Sequence, residues 1–251
     1  MINALAYSTD SAYMGYYGMG GFGWFDPTYF LVIIGLVITL IASANVNGTF
    51  KKYDKVQSRR GITGAMAARK ILDANGLNNI RIERVSGNLT DHFSPKENVI
   101  RLSEATYNST SIAALGVAAH ECGHVIQHHE NYGPLNLRTM LVPAANIGSK
   151  AGIPIILLGV LLGYNSTLVT IGIWVFALAV AFQLVTLPVE FNASRRALAC
   201  LEEYGVVTND EKSQSAKVLR AAAYTYVAAA AASILQLLRL IMLFGGRRRD
   251  D

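Results

Sequence analysis

His120-Glu121-Cys122-Gly123-His124 places two imidazoles and a carboxylate at a spacing that can do metal chemistry. An α-helix turns about 100° per residue, so residues four apart project from nearly the same face and two imidazoles can grip one ion. Glu121 lies beside them, free to act on a water held at that ion without binding the ion itself. The implied cofactor is Zn2+ and the implied chemistry is hydrolysis of a peptide bond, with Glu121 taking a proton from water and passing it to the leaving amine. Histidine is scarce, five in 251 residues, and most of it crowds around this pentad.

A catalytic zinc needs three protein ligands and one open position. His128 stands one turn beyond His124. Three histidines on one straight helix form a shallow stripe, however, and do not easily surround a tetrahedral ion. The extended spacing in which a glycine and a third histidine follow the pentad also fails, since Gln127 and Glu130 occupy those places. Glu190 is the better donor. It follows a long apolar run directly, where a carboxylate needs a reason to sit near lipid, and pairing with Arg195 or Arg196 is the competing explanation. Cys122 does not project with the histidines and is assigned to packing.

These residues need elements to position them. Ser111 to Ala119 is small, apolar and free of proline, and a serine-rich start at Asn108 to Ser111 can cap a helix, so the pentad is expected inside a buried helix. Thr63 to Asn75 reads as an amphipathic helix with a capping threonine, a stop at Gly76, and Met66, Ala67, Ile71 and Leu72 near one face. Ile80 to Val85, His92 to Pro95 and Val99 to Leu102 suggest a small sheet. The Leu89 to Leu102 region is the candidate edge for an extended substrate. Asp91 and His92 either reach the site or form an ordinary turn. His92, Tyr204, Arg195 and Arg196 are all candidates to stabilise an oxyanion.

The chain is 52% hydrophobic and 16% charged, leaner in charge than the roughly 25% of soluble domains. Residues 27–46 and 168–189 are uncharged runs long enough to cross a bilayer, and 141–163 is a third, interrupted by Lys150. For residues 221–244, alanine-rich and broken by Arg239, three readings stand open: crossing, packing against the catalytic domain, or lying at the interface. Residues 1–26 carry no lysine or arginine, whereas Lys51, Lys52, Lys55, Arg59 and Arg60 follow the first run. By the positive-inside rule, 1–26 is a non-cytoplasmic tail, not a signal peptide, and 47–131 is a cytoplasmic catalytic domain. Residues 190–220 then form a cytoplasmic segment carrying the third zinc ligand, and 245–251 a basic tail. A crossing by 221–244 would put Arg247 to Arg249 outside, against that bias. The net charge of +5 fits an anionic inner leaflet, and no nucleic-acid motif accompanies it. Two apolar runs separate His124 from Glu190, so both halves of the site return to one side. The fold class expected is a mostly α, multi-pass membrane protein with three or four transmembrane helices and a small α+β zincin-like domain.

The order of apolar span, basic loop, H-E-x-G-H, span hairpin and Pro188-Val189-Glu190-Phe191-Asn192-Ala193-Ser194-Arg195-Arg196-Ala197 resembles the YugP-type membrane neutral zinc metallopeptidases. Trp24 to Pro27, Arg60 to Ala65, Leu89 to Pro95 and Arg101 to Ser103 extend the likeness over nearly the whole chain from Trp24. The resemblance implies zinc on His120, His124 and Glu190, Glu121 as base, and cleavage of membrane or misfolded proteins at the cytoplasmic face. The arrangement is also similar to the HtpX and CAAX prenyl protease group of gluzincins, in which an E-x-x-x-D carries the third ligand; here Ser194 occupies the aspartate position. The alternative from another class is a catalytically silent, metal-binding membrane scaffold or chaperone. A metal transporter is disfavoured, because Lys150 is the one ionisable residue within the three uninterrupted or nearly uninterrupted runs.

Overall fold

A computed structural model describes residues 26–245. All but the last residue of the expected tail 1–26, and the arginines 247–249, lie outside the described residues. Apolar composition without proline gives the first helix, α1 (Tyr29–Asp54), and Asp26 accepts a hydrogen bond from the Thr28 backbone at 3.0 Å just before it. Helix α2 (Gly64–Ala74) starts where the Thr63 side chain accepts from Met66 N at 3.2 Å, and it ends before Gly76, whose φ of +71° an L side chain rarely adopts. Ala67, Ala68, Ile71 and Leu72 are fully buried. Met66, expected on that inner face, is instead 55% exposed, because it sits at the edge of the apolar arc and the core wraps the other side.

Three strands follow, β1 (Arg81–Val85), β2 (His92–Ser94) and β3 (Val99–Ser103), in the order β1-β3-β2. β1 runs parallel to β3 with Ile82 opposite Ile100, and β2 runs antiparallel to it with Phe93 opposite the same isoleucine. β2 is therefore an edge. After the short α3 (Glu104–Tyr107), Ser111 opens α4 (Ile112–His129): its hydroxyl accepts from Ala114 N at 3.1 Å and donates to Asp54 at 3.0 Å, so one serine caps α4 and ties it to the end of α1. The core of the α+β region forms around α4, where Leu115, Ala118 and Cys122 pack against Ile71 and Leu72 of α2, Ile100 and Leu102 of β3, and Ala197 and Leu201 further along the chain.

Helices α5 (Gly133–Leu161) and α6 (Ser166–Glu203) form a hairpin whose turn uses Gly163 at φ +76° and Asn165, which accepts from Leu168 N at 3.0 Å. α6 continues through Pro188 to Glu203, so Glu190 stands within a helix and not in a loop. The hairpin is joined by small residues: a Cβ added at Gly148 would lie 2.5 Å from Val175 O, and one at Gly152 2.9 Å from the Phe176 side chain. Helix α7 (Asn209–Phe244) begins with a capping box in which Thr208 and Glu211 satisfy one another, while Glu211 also accepts from Arg59 N at 2.7 Å.

α7 lies antiparallel to α1. Val218 clusters with Phe50 and Tyr53, Ala232 abuts Gly35, and the Arg239 guanidinium sits 4.1 Å from the Tyr29 ring centroid and 3.6 Å from Asp26. The Ala-rich face is thus a packing face. Arg239 is neutralised at the end of α1 that Asp26 marks. Four helices, α1, α5, α6 and α7, are long and apolar enough to cross a membrane. Lys150, on α5, is exposed. The molecule is mostly α-helical, with a small three-stranded sheet packed on α2, α3 and α4, and four long apolar helices.

Gly152→Leu should force α5 off α6 and lower stability by about 1–3 kcal/mol, as overpacking does. Thermal unfolding in detergent measures this, with Gly133→Ala as the control, since a Cβ there meets nothing within 4 Å.

Candidate metal centre

α4 is buried along most of its length, and its pentad faces α6 across an unusually close contact. A Cβ on Gly123 would lie 2.5 Å from Ala193 O, so only glycine lets the two backbones meet at this level. Short side chains on both helices therefore reach a common point. His120 Nε2 lies 3.2 Å and His124 Nε2 3.6 Å from Glu190 Oε2, and the two imidazole centroids are 4.7 Å apart at 83°. Ligand atoms of a tetrahedral zinc with bonds near 2.1 Å stand about 3.4 Å apart, so the group has the dimensions of such a site. Its three donor atoms all fall within 4.8 Å of one another.

Glu190 Oε2 is fully buried and lacks a hydrogen bond of acceptable direction, although both imidazoles are near. A buried carboxylate oxygen in that state is costly unless a cation completes it. The donor set of two imidazoles and one carboxylate fits zinc. Burial works against the charged form of His124, but contact with Glu190 and the charges of Glu121 and Glu190 outweigh it, and its pKa is raised.

The outward ring nitrogens are also held. Gln127 Oε1 lies 3.0 Å from His124 Nδ1, and the Gln127 amide donates to Val189 O at 2.8 Å and to Asn192 Oδ1 at 2.9 Å. One buried glutamine thus orients a histidine and locks α6 to α4. Ser194 Oγ is 3.2 Å from His120 Nδ1, so a hydroxyl stands where the related E-x-x-x-D pattern has a carboxylate. Both contacts leave the Nε2 atoms free to take an ion. Neither Ser194 nor Gln127 could be assigned this role from spacing, because each acts across the α4–α6 seam.

Glu121 lines the same cavity of about 390 Å³ and makes no ion pair among the described residues. His128 lies on its wall, exposed and edge-on to Phe93 with centroids 5.8 Å apart, outside the three-donor group. Arg196 is taken by Glu130 at 2.6 Å and Asn192 at 2.7 Å, which removes it as a partner for Glu190. Arg195 is exposed, and Tyr204 packs against the core near Cys200, away from the cavity. Asp91 accepts from Ser103 N at 2.8 Å and Ser103 Oγ at 2.9 Å, so it builds the turn before β2. His92 lines the cavity with its Nδ1 2.8 Å from Thr90 O. Arg138 on α5 and Tyr226 on α7 are among the cavity residues that no local motif marks in the sequence. Cys122 Sγ points away, 3.6 Å from Ala68 O, and burial pushes its thiol pKa well up, in keeping with packing. Both cysteines are free.

Comparison with known proteins agrees with this picture. Residues 28–245 match the family described as "Putative neutral zinc metallopeptidase". The chain is 48% identical over 222 residues to "Putative membrane protease YugP" of Bacillus subtilis (strain 168), an alignment covering 88% of this chain and 98% of that relative. No solved structure matches.

Gln127→Leu should weaken metal binding by about 10- to 100-fold, the usual effect of losing the partner of a ligand histidine. Competitive titration against a zinc-chelating dye measures it. An unchanged affinity would mean that Gln127 serves only the helix seam.

Proposed function

Since the chain belongs to the neutral zinc metallopeptidase family that its residues 28–245 match, we propose that it is a membrane-embedded endopeptidase using one zinc ion held by His120, His124 and Glu190. The observation that carries this reading is the convergence of those three donors, from two helices, in the cavity that Glu121 also lines. Zinc held there supplies Lewis acidity, which makes water a competent nucleophile near neutral pH and polarises a carbonyl. The protein's own groups do the rest.

Glu121, without a cationic partner among the described residues, accepts a proton at its carboxylate and delivers it to the leaving nitrogen. His120 and His124 keep their Nε2 atoms inward because Ser194 and Gln127 hold the opposite nitrogens. β2, the free edge of the sheet beside α4, offers backbone groups to an extended substrate, and Leu89, Phe93 and Pro95 give that wall its apolar character. Peptide bonds in membrane or misfolded proteins are the substrates this arrangement suits, since long apolar helices reach to the cavity.

The positive-inside rule supports a cytoplasmic site, because the basic stretch Lys51 to Arg60 follows α1 directly. α1, α5, α6 and α7 would each cross the bilayer, with both termini on the other side. The α5–α6 hairpin returns Glu190 to the side of the pentad. The antiparallel packing of α7 on α1, with Arg239 paired to Asp26, supports a crossing by α7 in spite of the arginines that follow it.

Glu121→Gln should retain zinc and lose casein cleavage by at least about a hundredfold, the scale of general-base contributions. Equal cleavage by both forms would sink the peptidase reading in favour of a silent metal-binding scaffold or chaperone. Glu190→Ala should lose zinc by elemental analysis, whereas full occupancy in that variant would point to His128. A reporter fused after Asp251 tests the topology: a cytoplasmic readout excludes a crossing by α7.

A further inference from the structure

Arg138 has no counter-ion among the described residues, in a cavity whose other titratable side chains are carboxylates, imidazoles and Tyr226. It projects from the second turn of α5, and its guanidinium lies 5.7 Å from the centroid of the Phe182 ring on α6. Stacking on an aromatic face fixes the plane of a guanidinium and leaves its N–H edge free for other partners. Its Nε is fully buried and has no hydrogen-bond partner among the described residues. Among the described residues none of the three carboxylates that line the cavity pairs with Arg138: Asp91 accepts from Ser103, Glu190 lies against the two histidines, and Glu121 forms no ion pair. A partly buried guanidinium with an unsatisfied donor is unfavourable unless an acceptor arrives from outside the chain.

The chemistry of that acceptor follows from the shape of the donor. A planar fork with fixed orientation matches a carboxylate, which takes two parallel N–H bonds. The same cavity is lined by His92 and Phe93 of β2, along which an extended peptide would lie, and by His120, Glu121 and His124 of the pentad. A carboxylate on such a peptide therefore comes within reach of Arg138 when the chain occupies the cavity.

Building on the peptidase reading of the same cleft, we propose that Arg138 is a carboxylate-recognising subsite that selects substrates with an acidic side chain, or a free carboxy terminus, a few residues from the scissile bond. The full-length, detergent-solubilised, zinc-loaded Glu121→Gln protein tests this by fluorescence anisotropy. The probes are fluorescein-labelled alanine/leucine decapeptides carrying Glu or Gln at each position in turn, as carboxy-terminal amides, and the all-Gln-type peptide with a free carboxylate.

A Glu peptide, the free-acid peptide or both should bind about 10- to 100-fold more tightly than the neutral amide, the scale of a charge-assisted hydrogen bond. The two arms separate an internal acidic residue from a chain terminus. The preference should vanish in Glu121→Gln/Arg138→Met, weaken in Glu121→Gln/Arg138→Lys, and leave zinc content unchanged in both. Equal binding of all peptides, no binding of any, or a preference that survives Arg138→Met overturns the subsite. Casein cleavage by the wild type keeps the two ideas apart. Cleavage without carboxylate preference removes only the subsite, while Arg138-dependent binding without cleavage removes the peptidase reading and leaves a carboxylate-binding cleft.

Discussion

Backbone contact between α4 and α6 at Gly123 and Ala193 is the constraint on which the centre depends. Helices in proteins usually pack with axes 8–10 Å apart, and side chains fill the space between them. Here the absence of a side chain at residue 123 lets the carbonyl of Ala193 approach to where a Cβ would stand. Imidazoles three residues before that contact and one residue after it then meet a glutamate that stands less than one turn before Ala193. A larger residue at 123 would separate the two half-sites without touching any donor atom. Gln127 fixes the remaining freedom, rotation of α6 about its axis, by bonding Val189 O and Asn192 on the one helix and His124 on the other.

Burying a carboxylate and two imidazoles in an apolar seam is unfavourable unless they satisfy one another or an ion. That requirement shapes the surroundings. Polar groups are concentrated beside the two histidines, at Ser194 and Gln127, and much of the rest of the seam is small or apolar, as at Gly123, Ala193 and Ala197. The α5–α6 hairpin meets the same demand by another route. More than sixty residues lie between His124 and Glu190, and ordering a flexible connection of that length would oppose assembly. Glycine-mediated packing within the hairpin makes the connection a rigid arm instead.

The cleft draws its lining from separate parts of the chain: α4, the β2 edge, α5, α6 and α7. A peptide bound there would touch the α+β region and the long apolar helices at once. Such a position joins the substrate-binding surface directly to the elements that are long and apolar enough to lie in a bilayer.

The short-range features were legible in the sequence because short-range physics governs them. Thr63 and Ser111 cap their helices by bonds to residues three places on, apolar runs without proline become long helices, and His120 and His124 share a face through helical pitch alone. Glu190 was legible by a coarser argument, the even number of apolar runs separating it from the pentad and the cost of a carboxylate at the end of one. Met66 was misjudged because helical periodicity locates an apolar arc but not its edge, which the packing partner decides. The roles of Ser194, Gln127, Arg138 and Tyr226 required the tertiary structure. Each depends on which helix faces which, and that is set by shape and volume at contacts such as Gly123 with Ala193, where residues some seventy positions apart must fit together. Sequence spacing specified what each helix could present; the distance between helices, fixed by one missing Cβ, decided what those groups could jointly bind.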